Sequence, residues 1–209
     1  MKYIFTRYRI VFLITAVIVT GYWQGAFAVV RQGPMDQMKE AVDEILVIMR
    51  GEQFSQPETR ESEKKRIVTI LHQHFDFEEM SMRTLARYWK ERSSEEKQYF
   101  VKLFTKLLEN TYVDRVDTYS GEVLVFTGEK IKGRYAEVQS NFVRNDLEVP
   151  VYYRLKNHDG SWKVYDVIIE GVSLIRNYRT QFQAILDRES YSDLVKKMEE
   201  KVAKQKETQ

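Results

Sequence analysis

Residues Gly160–Phe182 read GSWKVYDVIIEGVSLIRNYRTQF. The segment opens in a turn and runs through Trp162 to Ile169, rich in aromatic and β-branched residues, which predicts a strand. At Gly171 the period changes: Leu174, Ile175, Tyr178, Phe182, Ile185 and Leu186 recur at helical spacing. A strand therefore feeds a helix through a glycine hinge, whose backbone reaches conformations closed to other residues. Straight alternation puts Trp162, Val164, Asp166 and Ile168 on one strand face and Lys163, Tyr165, Val167 and Ile169 on the other.

Upstream, from Tyr119, the apolar period is two. Gly121–Gly128, Arg134–Arg144, Val149–Lys156 and Trp162–Ile169 read as four strands. The connections are short and polar: Gly128–Gly133, Asn145–Glu148 and Asn157–Gly160. Such links make consecutive strands antiparallel hairpins. Ala136, Val138, Ser140 and Phe142 share one face; Val149, Val151, Tyr153 and Leu155 share another. The first and last strands are apolar on both faces, which predicts a sheet covered on both sides or curved round something.

The N-terminal half is helical in character. Met35, Met38, Val42, Ile45, Leu46 and Met49 mark one face, and Gly51 a stop. After a polar stretch, Gln56–Glu63, a second helix turns Ile67, Ile70, Leu71 and Phe75 inward. Asp76 with Glu79 and Ser93 with Glu96 have capping spacing. Behind them run Phe77, Met80, Thr84, Leu85, Tyr88 and Trp89, then Phe100, Leu103, Phe104, Leu107, Leu108 and Tyr112. A charged helix closes the chain from Tyr191 to about Lys204. About four helices, four antiparallel strands and two helices make an α+β fold.

Residues 1–28 have the form of an export signal: Lys2, Arg7 and Arg9, the apolar run Ile10–Val19, and Ala26-Phe27-Ala28, predicting cleavage after Ala28. The leader holds three of the 33 basic residues and none of the 31 acidic ones, so residues 29–209, read as a single domain, are close to neutral. That balance offers nothing for nucleic acid. With no cysteine, thiol catalysis, thiolate metal sites and disulfides are excluded.

No catalytic signature emerges. His72 and His74 are two apart on a helix and diverge, and His158 sits in a turn, so no metal site is assembled. No phosphate loop or nucleophile elbow is present. The acidic pairs Glu78-Glu79 and Glu95-Glu96 fit helix starts. Asp166, in an apolar strand, is the one acid–base candidate; capping a backbone or pairing with arginine is its alternative role. What stands out is aromatic and apolar surface at inward positions, the material of a core or of a covered pocket between sheet and helices.

Several segments together resemble the MlaC-like, or toluene-tolerance, family of periplasmic phospholipid carriers. They are Phe75–Ser81, Leu85–Trp89, Phe100–Phe104 running on to Leu108 and Thr111-Tyr112, Tyr119–Glu122, Pro150–Leu155 and Trp162–Phe182, above all Val167–Leu174. The resemblance implies an NTF2-like/MlaC-like fold, a curved four-stranded antiparallel sheet with about six helices enclosing an apolar cavity. It implies a carrier without cofactor that holds a phospholipid by its acyl chains. Such carriers pass it between an outer-membrane lipoprotein/porin complex and an inner-membrane ABC transporter complex with a lipid-binding ring subunit, maintaining outer-membrane lipid asymmetry. By position, the cavity residues expected are Tyr88, Phe100, Phe104, Leu107, Leu108, Tyr112, Val138, Phe142, Val151, Tyr153, Val164, Ile168, Leu174 and Tyr178. Arg176 and Arg179 would meet a lipid phosphate or a partner, or remain solvated. Three other readings stay open: a carrier of hopanoid or another lipid, a ligand-free envelope adaptor, and an isomerase-like enzyme using Asp166.

Overall fold

The structure, a computed structural model, describes residues 32–118, 121–144 and 147–207; the export signal and its cleavage point lie outside them. Five antiparallel strands lie in the order of the chain: β1 (Val123–Lys132), β2 (Tyr135–Arg144), β3 (Leu147–His158), β4 (Ser161–Ile169) and β5 (Val172–Ser173). The expected hairpin ladder is present, with a fifth strand that period counting did not show. Glu170 and Gly171 both take positive φ, +49° and +80°, as a tight hairpin turn requires. That turn folds Val172 and Ser173 back onto Ile169 and Ile168. The predicted hinge is thus a hairpin turn, and the following helix starts only after it.

The first strand also runs past its expected end at Gly128. Its register slips between Phe126 and Gly128, so Thr127 is an extra residue and Gly128 lies inside the strand. A glycine in a strand marks a bulge here rather than a turn.

The described helices are α1 (Pro34–Arg50), α2 (Glu52–Ser55), α3 (Pro57–His74), α4 (Phe77–Leu85), α5 (Ser94–Tyr112), α6 (Leu174–Leu186) and α7 (Tyr191–Glu207). Helix α3 begins at Pro57, because proline at the first position gives up no hydrogen bond the helix would use; the polar stretch read as preceding the helix forms, from Pro57 on, its first turns. Ser93 and Glu96 close a full capping box at α5. At α4, Asp76 Oδ1 accepts from Glu79 N at 2.9 Å, but Glu79 does not reciprocate. Its carboxylate binds Arg83 at 2.6 Å and Lys156 at 2.5 Å, tying the helix to β3.

Helices α4 to α7 share one core. Phe100, Phe104, Tyr178 and Phe182 interlock edge-to-face, with centroids 5.1–5.8 Å apart across the helices. Each such pair adds about 0.5–1.5 kcal/mol beyond its buried area. Ala136, Val138, Leu155, Trp162 and Val164 form a second core with Met38 of α1, and α1 and α3 close on a third around Ile67. Helix α4 ends where Ala86 adopts φ +51°, and a 3-10 turn over Ala86–Glu91 carries the chain away.

Candidate functional site

The candidate site is an apolar groove of about 250 Å3 between one sheet face and the helices α3 to α6. Its floor is Tyr153 of β3 with Val167 and Ile169 of β4; its walls are Leu71, Phe75, Phe77, Met80, Leu108, Tyr112, Val113 and Leu174. Hollows of 770, 810 and 660 Å3 elsewhere have several charged residues in their walls. In the groove Glu109 alone has a charged side chain, and it belongs to the rim: its carboxylate meets His72 Nε2 at 2.8 Å and Lys106 Nζ at 3.1 Å. Tyr112 and Ile169 are 39% and 43% exposed, so apolar surface reaches solvent at the groove edge.

A one-residue irregularity decides what faces the groove. Leu155 pairs with Val164, whereas Arg154 pairs with Asp166 and Tyr153 with Val167. Tyr165 is therefore the extra residue of a β-bulge. Cross-strand partners share a face, so Trp162 and Val164 before the bulge, and Val167 and Ile169 after it, all lie with Tyr153 and Leu155. Asp166 and Ile168 point the other way. Uninterrupted alternation reverses the end of this strand, which is why Ile168 was expected in the cavity and Val167 and Ile169 were not.

The remaining expected cavity residues divide by location. Leu108, Tyr112, Tyr153 and Leu174 line the groove. Phe100, Phe104, Leu107 and Tyr178 are fully or almost fully buried in the helical core behind it, and Val138 and Val164 are buried beneath α1. Val151 and Phe142 share the groove's sheet face, as their pairing with Ile169 and Val149 shows, but lie outside its wall. Tyr88 sits elsewhere. The break at Ala86 turns it toward the end of α6, where its hydroxyl donates to Asp187 Oδ1 at 2.9 Å. Leu71, Phe75 and Met80 had been read only as helix-core positions. The parallel bridge from Phe75 to Val164 brings that corner onto the sheet, and a contact so distant in sequence leaves no periodic trace.

Burial pushes the Tyr153 phenol up to about 12, against a weaker opposing contact from Ser140. Tyr178 is likewise pushed up to about 12, by burial first and then by Tyr112. Both stay neutral at any physiological pH.

Asp166 is 4% exposed, and its carboxylate is committed to the β4–α6 junction. It accepts from Ser173 Oγ at 2.7 Å and from Ile175 N at 3.1 Å, with Arg154 Nη1 at 3.5 Å. That is the capping-and-pairing role rather than a poised acid. Among the described residues no cluster of three or more acidic or histidine side chains could hold a metal, and no helix is long and apolar enough to cross a membrane.

Comparison with known proteins agrees with the geometry. The chain is 23% identical over 195 residues to the intermembrane phospholipid transport system binding protein MlaC of Haemophilus influenzae, covering 90% of this chain and 91% of that one. It is 29% identical over 104 residues to the toluene tolerance protein ttg2D of Pseudomonas putida, about half of each chain (49% and 48%). In fold it matches the phospholipid-binding protein from Ralstonia solanacearum, solved in complex with a phospholipid. The TM-score is 0.72 at 23% identity, over 83% of this chain and 99% of that one. The family model of the MlaC protein matches residues 39–200, and the chain belongs to that family.

Proposed function

We propose that this chain is a periplasmic carrier that holds a phospholipid by its acyl chains in the groove. It passes the lipid between an outer-membrane lipoprotein/porin complex and an inner-membrane ABC transporter complex with a lipid-binding ring subunit, and so maintains outer-membrane lipid asymmetry. Residues 1–28 direct export and are removed, leaving residues 29–209 as one carrier domain. The observation that carries the reading is a groove walled by apolar side chains, in a family with one relative named for phospholipid transport and another solved with a phospholipid bound. Leu71, Phe75, Leu108, Tyr112, Tyr153, Val167, Ile169 and Leu174 touch the chains; Phe100, Phe104, Leu107, Val138, Val164 and Tyr178 back the wall.

The energetics suit exchange rather than capture. Two acyl chains hold about thirty methylenes, each worth ~0.8 kcal/mol on leaving water. A bilayer is equally apolar, so most of that gain cancels on transfer. Direction then comes from docking or from the transporter's ATP, since a ligand held equally at both ends shifts no equilibrium. The groove's 250 Å3 is below the ~300–1,000 Å3 of pockets for drug-sized ligands. Entry of two chains therefore requires the helical wall to move off the sheet. No step calls on a catalytic residue or a cofactor, and the engaged carboxylate of Asp166 supports a non-enzymatic reading.

Native mass spectrometry of the mature protein purified without detergent, followed by lipid extraction, tests this. A mass increment matching a diacyl phospholipid is expected. A hopanoid increment would replace the cargo. A clean apo mass with no uptake from liposomes would overturn carriage in favour of a ligand-free adaptor.

A further inference from the structure

On the other face of the sheet lies a second hollow, of about 660 Å3, bounded by α4, the 3-10 turn and the start of α6. Its sheet residues Arg154 and Asp166 are cross-strand partners, out of phase with the groove residues Tyr153 and Val167. The two hollows share α4 and α6 as borders but draw on opposite faces of the sheet.

The cleft is lined by Arg83, Lys90, Arg154, Arg176 and Arg179 against only Glu79 and Asp166. Both carboxylates are spoken for inside the fold. Glu79, 6% exposed, lies between Arg83 and Lys156, and Asp166 holds the β4–α6 junction. Arg83 and Arg154 have partners and are preorganised: the Arg83 guanidinium stacks 4.1 Å from the Tyr165 ring centroid, and Arg154 lies between Glu137 and Asp166. Arg176, Arg179 and Lys90 have no ion-pair partner among the described residues.

That arrangement leaves three exposed cations on one cleft wall without a matching carboxylate. Arg176 and Arg179 are three apart on one helix, so like charges face each other. Arg176 is in the first turn of α6, where the helix field disfavours a cation and no acidic residue compensates. Both side chains are exposed, so solvent and salt reduce this repulsion, and a bound anion would reduce it further. Guanidinium groups match oxyanions in bidentate fashion. A phosphate ester, carrying up to about two negative charges, offsets three unpaired cations better than one carboxylate does. The concave shape admits a discrete group.

We propose that this cleft binds a phosphoryl group through Arg176, Arg179 and Lys90, at a site separate from the acyl-chain groove. The phosphoryl group comes either from a second lipid's headgroup at a bilayer surface or from a soluble phosphate ester. The inference is independent of the carrier reading, because lipid content of the groove is measured separately.

Titration calorimetry of the mature protein with inorganic phosphate and with glycerol phosphate, at fixed ionic strength, tests the site. Saturable binding is expected, weakened about tenfold or more in the Arg176→Gln/Arg179→Gln pair and measurably in Lys90→Gln. Lys196→Gln on α7 is expected to leave it unchanged. Native mass spectrometry of the same variants checks that they are folded and that groove lipid is retained. Cosedimentation with phosphatidylglycerol vesicles separates the sources: arginine-dependent vesicle binding assigns the headgroup, and its absence alongside phosphate binding assigns the soluble ester. No saturation by about 10 mM phosphate, equal affinity for citrate, or equal weakening by Lys196→Gln would overturn the proposal.

Discussion

The bulge at Tyr165 makes Ile168 and Ile169, neighbours in sequence, answer to different demands. Ile168 is 7% exposed on the face away from the groove; Ile169 is 43% exposed and forms part of the groove floor. Threonine at either site keeps the β-branch, removes apolar carbon and adds a hydroxyl. At position 168 the lost burial, at ~0.8 kcal/mol per methylene, adds to the ~1–3 kcal/mol of a buried hydroxyl without a partner. Ile168→Thr should therefore cost about 2–4 kcal/mol. A domain of this size loses about 2–4 °C per kcal/mol, so melting should fall by roughly 4–16 °C. At position 169 the lipid-free protein should change by under about 1 kcal/mol, since the side chain is already half in solvent. Lipid affinity should fall instead. Loss of about 1–2 kcal/mol of apolar contact with the chains corresponds to about 5–30-fold. Differential scanning fluorimetry of delipidated protein gives the first quantity, and uptake of a fluorescent phospholipid from vesicles gives the second. If Ile168→Thr empties the groove in folded protein while Ile169→Thr leaves uptake intact, the face assignment after the bulge is refuted.

Asp166→Asn should destabilise the protein by about 1.5–3 kcal/mol, the range for a hydrogen bond to a charged group, while lipid content per folded molecule stays unchanged. Lipid loss at unchanged melting temperature would contradict the junction role. The buried phenols set an alkaline limit. Tyr153 and Tyr178 are pushed up to about 12 in the fold, against about 10 in the unfolded chain. Above pH ~10 the unfolded state gives up protons that the folded state keeps, so this contribution to stability is whole below that pH and declines as pH rises toward 12. Denaturant melts across that interval should show the decline, and Tyr153→Phe should reduce it; an unchanged slope would count against burial of that hydroxyl.

Much of the architecture was legible in the linear pattern because it rests on local physics. Alternation on β2 and β3 assigned the faces of Ala136, Val138, Tyr153 and Leu155, and the structure keeps those faces. The Ser93–Glu96 capping box and the side-chain cap at Asp76 fell where their spacing put them. The hairpin connections required consecutive antiparallel strands. Each of these rests on residues within about four positions of one another, or on a period that runs unbroken.

The groove was less legible, because three departures from regular geometry shape it. A single extra residue at Tyr165 exchanges the faces of everything downstream, yet composition on both sides stays apolar and shows no break. The positive φ at Ala86 ends α4 and removes Tyr88 from a stripe that continues smoothly in sequence. The joining of Phe75 to Val164 and of Glu79 to Lys156 links segments some eighty to ninety residues apart. Local pattern thus set the elements and most of their inward faces. Which inward residues pack as core and which border open space depended on how those elements meet, because both roles draw on the same apolar side chains and differ only in what lies opposite them.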